Sequence, residues 1–186
     1  MKELSLNILD VAENSVKAGA GLIQIIIEET VDMLVLKIID DGCGMSEDIV
    51  GTVIDPFYTT RTTRDVGLGV PLLKLAAEQT GGGFSIESKC ESEYPDNHGT
   101  RVVARFFKNH IDFTPLGDVV SSVTTLIQGH PDTDFLFSHF FDDNKCVSLD
   151  TREIREVLGN VSLNEYEVIK WIEEYLREQY ADTKAC

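Results

Sequence analysis

The fold is decided by one segment near the start of this chain of 186 residues, Leu9-Asp10-Val11-Ala12-Glu13-Asn14-Ser15-Val16-Lys17-Ala18-Gly19-Ala20. Apolar residues recur here at helical spacing, which predicts a helix over residues 3–18. The Ala-Gly-Ala-Gly run that starts at Ala18 ends this helix. Side chains at i, i+3, i+4 and i+7 share one helix face, so the helix carries a polar stripe made of Asp10, Glu13, Asn14 and Lys17.

This stripe has the groups that a magnesium–phosphate ligand needs. The amide oxygen of Asn14 is a hard donor of the kind that Mg²⁺ accepts alongside waters and substrate phosphates. Asp10, one turn earlier, could hold and deprotonate a water, and Lys17 could meet phosphate charge. Taken alone, the same stripe is also typical of a solvated polar face with one helical ion pair. The helix by itself favours that simpler interpretation.

Further along, hydrophobic periodicity predicts an alternation of strands and helices. Strands are expected over 22–28, 33–39, 84–89 and 100–107, and helices from residue 46 and over 70–79. The pattern changes near residue 110, which predicts two units, residues 1–110 and an acidic extension at 111–186. In the extension we expect a helix over 116–128, a hairpin of 134–141 with 146–149, and helices near 150–158 and 164–180.

The charge and composition exclude several classes of protein. The net charge of −16 repels a phosphate backbone, so nucleic acid is not an expected partner. No apolar run approaches the roughly 18 residues that span a bilayer, and no apolar signal core follows Met1. The four cysteines form no CxxC pair and are expected to be reduced. These features predict a cytoplasmic protein that does not act at a membrane.

Two glycine-rich turns follow the helical stripe in the sequence. Asp40-Asp41-Gly42-Cys43-Gly44-Met45 directly follows a predicted strand, where a carboxylate can accept a proton from the exocyclic amine of adenine. Gly67-Leu68-Gly69 opens a helix, and free N–H groups at a helix start attract anions. The hydroxyls and guanidinium groups of residues 59–64 suit phosphate oxygens and a lid. Each motif alone is equally typical of an ordinary turn or surface loop.

Taken together, these motifs resemble those of the GHKL ATPases, the family of gyrase, heat-shock chaperone ATPases, histidine kinases and mismatch-repair ATPases. The segment around Asn14 resembles the N box, and its sequence is most similar to that of the mismatch-repair branch. Residues 40–44 resemble the D-x-G-x-G box. Residues 55–61, Asp-Pro-Phe-Tyr-Thr-Thr-Arg, are similar to the P-F-x-T-T-[KR] box of histidine kinases. Gly67-Leu68-Gly69 is similar to their second glycine box, and Gly99-Thr100 to the start of the last strand.

The resemblance covers about residues 5–107 and implies a fold and a site. The fold is a two-layer α/β (α+β) sandwich, a mixed sheet with helices on one face (the Bergerat fold), followed here by a small α+β extension. The implied cofactors are ATP and Mg²⁺, with Asn14 as the metal ligand, Asp40 as the adenine anchor and Asp10 as the catalytic base. The other implied binding residues are Lys17, Gly42, Gly44, Met45, Phe57, Thr60, Arg61, Gly67, Leu68, Gly69 and Thr100.

Departures from the family pattern leave more than one function open. Members of the family that hydrolyse ATP have a glutamate at the position of Asp10, and the aspartate side chain is one methylene shorter. None of the four histidines lies in a long helical hairpin, so a self-phosphorylating sensor kinase is not expected. We expect either ATP hydrolysis or phosphorylation of a partner protein, and alternatively a non-catalytic, ATP-sensing regulatory module. A mismatch-repair-like clamp on DNA conflicts with the negative charge.

The chain as a whole is similar to small stand-alone GHKL proteins encoded near iron-hydrogenase and NADH-oxidising genes of anaerobic bacteria. That similarity implies a protein partner associated with redox enzymes. The extension at 111–186 is interpreted as a partner-docking or dimerising appendage, or equally as a packing extension of the same domain. A homodimer and the identity of a phosphoryl acceptor stay open at this point.

Overall fold

The computed structural model describes residues 3–54 and 68–184 of the chain. Its helices are α1 (Leu4–Lys17), α2 (Glu47–Ile54), α3 (Gly69–Gln79), α4 (Val119–Gly129), α5 (Thr151–Leu158) and α6 (Tyr166–Lys184). Its strands are β1 (Leu22–Glu29), β2 (Met33–Asp40), β3 (Gly83–Lys89), β4 (Gly99–Phe107), β5 (Asp134–Phe141) and β6 (Cys146–Asp150). The elements predicted from periodicity are thus confirmed, with ends that differ by a few residues.

The predicted and observed bounds differ most for the first and the last helix of the extension, α4 and α6. Helix α4 begins at Val119, three residues later than predicted, because Asp118 caps it: Oδ1 of Asp118 accepts a 3.0 Å hydrogen bond from the N–H of Ser121. Helix α6 continues to Lys184, four residues beyond the predicted end. No helix in the described ranges 3–54 and 68–184 combines the length and the apolar character that a bilayer crossing requires.

The six strands form one mixed sheet in the order β3-β4-β2-β1-β5-β6. All neighbouring strands are antiparallel except β1 and β5, which are parallel. Alternate residues of β1, β2, β5 and β6 are buried, as in Ile23, Ile25 and Ile27 of β1. These side chains pack with the apolar faces of α1, α3, α4 and α6 in a single core cluster. The expected two-layer architecture, a mixed sheet with helices on one face, is confirmed.

The extension joins this sheet through β5. Strand β5 pairs with β1 over its whole length, from Leu22 with Asp134 to Glu29 with Phe141. Strand β6 then pairs with β5 as the predicted hairpin, which turns at Asn144 with a φ of 61°. Buried residues on both sides of residue 110 therefore belong to the same core cluster.

A polar network fixes the end of α6 against the sheet. His139 is buried on β5, its Nε2 lies 3.1 Å from Oε2 of Glu29, and its Nδ1 lies 2.8 Å from the hydroxyl of Tyr180. Nζ of Lys108 donates a 2.7 Å hydrogen bond to the other carboxylate oxygen of Glu29. Because a carboxylate only accepts, Nε2 of His139 is the donor in its hydrogen bond to Glu29.

Candidate functional site

A cavity of about 480 Å³ lies where the second half of α1 meets the end of β2 and the start of β4. It is lined by Val11, Asn14, Ser15, Lys17, Ala18, Asp40, Cys43, Gly44, Met45, Ile49, Val53, Val70, Ile86, Thr100 and Val102. Six of the residues singled out from the sequence line it together: Asn14, Lys17, Asp40, Gly44, Met45 and Thr100. Its apolar walls and few polar groups are typical of a small-molecule site.

The cavity side of α1 presents polar groups that lack partners. Among the residues that the structure describes, neither the Asn14 amide nor the Lys17 ammonium makes a side-chain hydrogen bond or ion pair. The ion pair of the simpler interpretation is therefore not formed within the described part of the chain. Glu13 instead pairs with the extension, since its Oε1 lies 2.8 Å from Nε2 of His130. An amide oxygen and a cation are thus both available to a ligand.

Asp10 lies one turn before Asn14 but does not line the cavity. Its side chain is exposed. It faces the start of α3, because a Cβ atom on Gly69 would lie 2.6 Å from Cβ of Asp10. That approach requires glycine at residue 69 and brings the second glycine box against the N-box helix. The two motifs are therefore neighbours in space, although Asp10 and Gly69 are 59 positions apart in the sequence.

Asp40 is held by three hydrogen bonds at the end of β2. Oδ2 accepts from the hydroxyl of Ser15 at 2.6 Å, and Oδ1 accepts from the N–H groups of Gly42 at 3.0 Å and Thr100 at 3.2 Å. A carboxylate offers about four lone-pair positions, so these three bonds orient Asp40 and leave capacity for one further donor. This is the arrangement expected of a group that anchors an amine.

Hydrogen bonds of Thr100 and Gly42 connect the loop after β2 to the β3–β4 hairpin. The hydroxyl of Thr100 lies 2.9 Å from that of Ser88 on β3, and Oγ of Ser88 accepts from the N–H of Met45 at 2.8 Å. The carbonyl of Gly42 accepts from Nδ1 of His98 at 2.6 Å. The loop after β2 is therefore tied on both sides to the β3–β4 hairpin.

Glycine is required at two positions of this loop, Gly44 and Gly42, for different reasons. The φ of Gly44 is +64°, in the left-handed region, and a Cβ atom there would overlap the carbonyl oxygen of Lys89. Gly42 does not have a positive φ, and glycine is required there by close packing on Ala18.

Three residues that support the site were not singled out from the sequence. Ser15, Ser88 and His98 each hold a site residue or its loop through the bonds given above. Ser15 could have been found, because it follows Asn14 directly and its hydroxyl falls on the sheet side of α1. No pattern in the sequence indicates the roles of Ser88 and His98, since these roles depend on how the strands pair.

Part of the predicted site lies outside the described residues, namely Phe57, Thr60, Arg61 and Gly67. Leu68, which precedes α3, is described and is exposed.

The described residues fit Mg²⁺ and a nucleotide by their chemistry. Asn14 supplies an unpartnered hard oxygen, Lys17 an unpartnered cation and Asp40 an oriented acceptor, all on one cavity. Apolar side chains such as Val70, Ile86 and Val102 suit the faces of a flat heteroaromatic ring.

Known proteins share the fold described above. In structure, the chain is similar to the N-terminal domain of a DNA repair protein, with a TM-score of 0.57, 17% identity, and coverage of 86% of this chain and 58% of that one. It is also similar to the Aquifex aeolicus MutL ATPase domain complexed with ADP, with a TM-score of 0.53, 14% identity, and coverage of 96% and 70%. At these identities the likeness shows the fold.

In sequence, the chain is 33% identical over 94 residues to the sensor protein KdpD of Clostridium acetobutylicum, which is 48% of this chain and 10% of KdpD. It is 30% identical over 89 residues to sporulation kinase E of Bacillus subtilis, covering 48% of this chain and 12% of the kinase. The chain thus matches about a tenth of each of these relatives.

The model of one family, described as histidine kinase-, DNA gyrase B-, and HSP90-like ATPase, matches residues 2–111. This match covers more than half of the chain and includes every motif of the candidate site. The chain therefore belongs to the histidine kinase-, DNA gyrase B- and HSP90-like ATPase family.

Proposed function

We propose that this protein binds Mg-ATP in the cavity between α1 and the loop after β2, and that it hydrolyses ATP or transfers its terminal phosphoryl group to a partner protein. One observation carries the proposal: Asn14, Lys17 and Asp40 line a single cavity with capacity left for a ligand. Membership of an ATPase family supports the same ligand.

Each of these three residues contacts a different part of Mg-ATP. Asp40 accepts a hydrogen bond from the exocyclic amine of adenine, and the bonds from Ser15, Gly42 and Thr100 hold it in place. Asn14 contributes its amide oxygen to Mg²⁺, and Lys17 contacts the phosphates. When bound, Mg²⁺ neutralises phosphate charge, which is the main requirement of phosphoryl transfer.

Asp10 is the proposed base for an attacking water. It lies one turn from Asn14, its side chain is exposed, and the described residues provide it with no hydrogen-bond partner. Its arm is shorter than that of glutamate, so we expect slow turnover, because a displacement of about 1 Å can cost on the order of a hundredfold in rate. A hydroxyl or imidazole of a partner protein could take the place of water in the same geometry.

The second candidate is a non-catalytic module that senses ATP. It is favoured by the contact between Glu13 and His130, because this pair links the helix that carries Asn14 to the extension. A ligand that moved α1 would then change the extension as well. The two candidates share the binding site and differ in the fate of the phosphate.

We also propose separate roles for the two parts of the chain. The extension at residues 111–186 serves as the partner-docking part, with residues 1–110 as the ATP-binding unit. The similarity to stand-alone proteins encoded near iron-hydrogenase genes supports a redox-enzyme partner in the cytoplasm, and self-association into a homodimer is compatible with that role.

The test is a calorimetric titration of Mg-ATP and Mg-ADP, with phosphate release measured in the same samples. Asn14→Ala is expected to abolish Mg-dependent binding, whereas Asn160→Ala, a change of the same type at an exposed turn, is expected to bind like wild type. Asp10→Asn is expected to keep binding and to lower phosphate release by about a hundredfold.

Phosphate release separates ATP hydrolysis from the other activities. Tight binding without release, unchanged in Asp10→Asn, would favour the sensing module, or a kinase that awaits its acceptor, over the ATPase. Wild-type protein that binds neither nucleotide would overturn the proposal.

A further inference from the structure

A second cavity, of about 830 Å³, lies over β5 and β6, and we call it the β6 groove. It lies at the end of the sheet farthest from β3 and β4. Its lining combines β5, β6, α5 and α6, and is largely apolar, with Leu136, Phe140 and Val157 among its side chains. Val157 is 88% exposed, so this apolar surface is not covered by the described part of the chain.

Two stacked aromatic rings form one side of the β6 groove. Trp171 and Tyr175 are one turn apart on α6, with ring centroids 5.1 Å apart and planes inclined by 10°. Trp171 is 50% exposed and Tyr175 is 38% exposed. Half-exposed stacked rings are costly in water and present a negative π-face, which attracts guanidinium and ammonium groups.

The charged residues of the β6 groove are all acidic. Asp150, Glu153 and Glu167 line it, and the described lining contains no lysine or arginine. Asp150 is neutralised by Arg152, since the two side chains form a 2.6 Å ion pair. The side chains of Glu153 and Glu167 form no hydrogen bond or ion pair with the described residues, although the charge of Arg152 acts on Glu153. The groove therefore combines apolar surface with two carboxylates that no ion pair occupies.

The backbone edge of β6 is already occupied at its centre. The N–H of Ser148 donates a 3.0 Å hydrogen bond to Oε1 of Gln179, and Nε2 of Gln179 donates a 3.0 Å hydrogen bond to the carbonyl of Ser148. A side-chain amide thus takes the place of a neighbouring strand. An occupant of the groove must bind through side chains rather than by adding a strand.

We propose that the β6 groove docks a segment of a partner protein in which arginine or lysine alternates with apolar side chains. A cation of this segment stacks on Trp171 and Tyr175 and pairs with Glu153 or Glu167, and its apolar side chains contact Leu136, Phe140 and Val157. A second copy of this chain does not fit, because residues 111–186 contain 15 acidic and 6 basic residues and would bring like charges together. The inference does not depend on nucleotide binding.

The experiment uses Trp171, which is the single tryptophan of the chain and therefore reports on the groove alone. The full-length protein is titrated with a short synthetic peptide of alternating leucine and arginine, and with a matched peptide in which glutamate replaces arginine. We expect a saturable change in tryptophan fluorescence with the arginine peptide only.

Charge-reversal variants separate docking in the groove from general attraction to an acidic protein. The double variant Glu153→Lys/Glu167→Lys is expected to weaken binding at least about tenfold, or about 1.4 kcal/mol. The control is Glu91→Lys/Glu93→Lys, the same change in net charge at exposed residues between β3 and β4, beside the opposite edge of the sheet. This control is expected to bind nearly as wild type does.

Three results would overturn the proposal. One is equal binding of the arginine and glutamate peptides, and another is an equal loss of affinity in the two double variants. The third is a tryptophan signal that changes with protein concentration in the absence of peptide, accompanied by dimer formation in sedimentation, because a second copy would then occupy the groove. Circular dichroism checks that each variant is folded.

Discussion

The hydroxyl of Ser15 donates a 2.6 Å hydrogen bond to Oδ2 of Asp40, and this bond joins α1 to the end of β2 inside the candidate site. Ser15 directly follows Asn14 in the helix. The proposed adenine anchor and the proposed metal ligand are therefore held in one rigid arrangement, although 26 residues separate them in the sequence. Removing the Ser15 hydroxyl should therefore lower the affinity for nucleotide.

Replacing Ser15 by alanine is expected to lower ATP affinity by about five- to tenfold. The reason is that Asp40 loses its hydroxyl donor, and a hydrogen bond to a charged group contributes about 1.5–3 kcal/mol, part of which solvent replaces. Isothermal titration calorimetry with Mg-ATP measures the effect. Thr125→Ala, which removes an exposed hydroxyl that bonds the carbonyl of Ser121 in α4, should leave affinity unchanged. Equal affinity in Ser15→Ala and wild type would show that Asp40 is oriented without this bond.

Gly69→Ala is expected to destabilise the protein by about 1–3 kcal/mol, because Gly69 is buried and the new methyl group would press on Cβ of Asp10 where α3 meets α1. The control is Gly51→Ala in α2, where nothing lies within 4 Å of the added atom. There alanine should stabilise by about 0.5–1 kcal/mol through helix propensity. Urea unfolding followed by circular dichroism measures both, and a stabilising Gly69→Ala would contradict the described contact.

Acid is expected to weaken the attachment of the extension through Glu29. The hydrogen bond from His139, together with that from Lys108, lowers the pKa of Glu29 from 4.5 to about 2. A carboxylate with a lowered pKa stabilises the folded state fully above pH 4.5 and loses this contribution as the pH falls toward 2. A quarter of the Glu29 side chain is exposed, and solvent screening reduces the expected contribution to about 1–2 kcal/mol.

The measurement is the free energy of unfolding in urea across this pH range. Glu29→Gln should be less stable than wild type at neutral pH and should show a flatter decline on acidification. Glu78→Gln, whose carboxylate forms only an exposed ion pair with Lys74, should follow the wild-type curve. A Glu29→Gln curve parallel to wild type would mean that another group controls acid stability.

Asn7→Leu is expected to stabilise the protein by about 1–2 kcal/mol. Asn7 is fully buried in α1, and neither polar atom of its side chain has a hydrogen-bond partner in the described structure. An unsatisfied buried polar group costs about 1–3 kcal/mol, which a branched apolar side chain of similar shape would recover. Thermal unfolding measures the change, with Asn7→Asp as the opposite control, expected to destabilise. A less stable Asn7→Leu would mean that the amide has a structural role.

Much of the fold could be predicted because its signals are local. The consecutive residues Ile25, Ile26 and Ile27 mark a strand, and the spacing of Leu4, Ile8 and Val11 marks a helix with an apolar stripe. Such patterns depend only on the period of the backbone. The start of α4 was misplaced because capping by Asp118 depends on one side-chain bond rather than on periodicity.

The sequence by itself determined which residues we propose to hold a nucleotide: Asn14 and Lys17 on one helix stripe, Asp40 at a strand end, and Gly44 at a turn. These are consequences of side-chain chemistry and short-range spacing. Only the tertiary structure decided that Asp40 is oriented by Ser15, that Glu13 pairs with His130 rather than with Lys17, and that β5 lies parallel to β1. Those contacts join residues 25 to 117 positions apart, and which of many such pairs form depends on how the whole core packs, which no local pattern encodes.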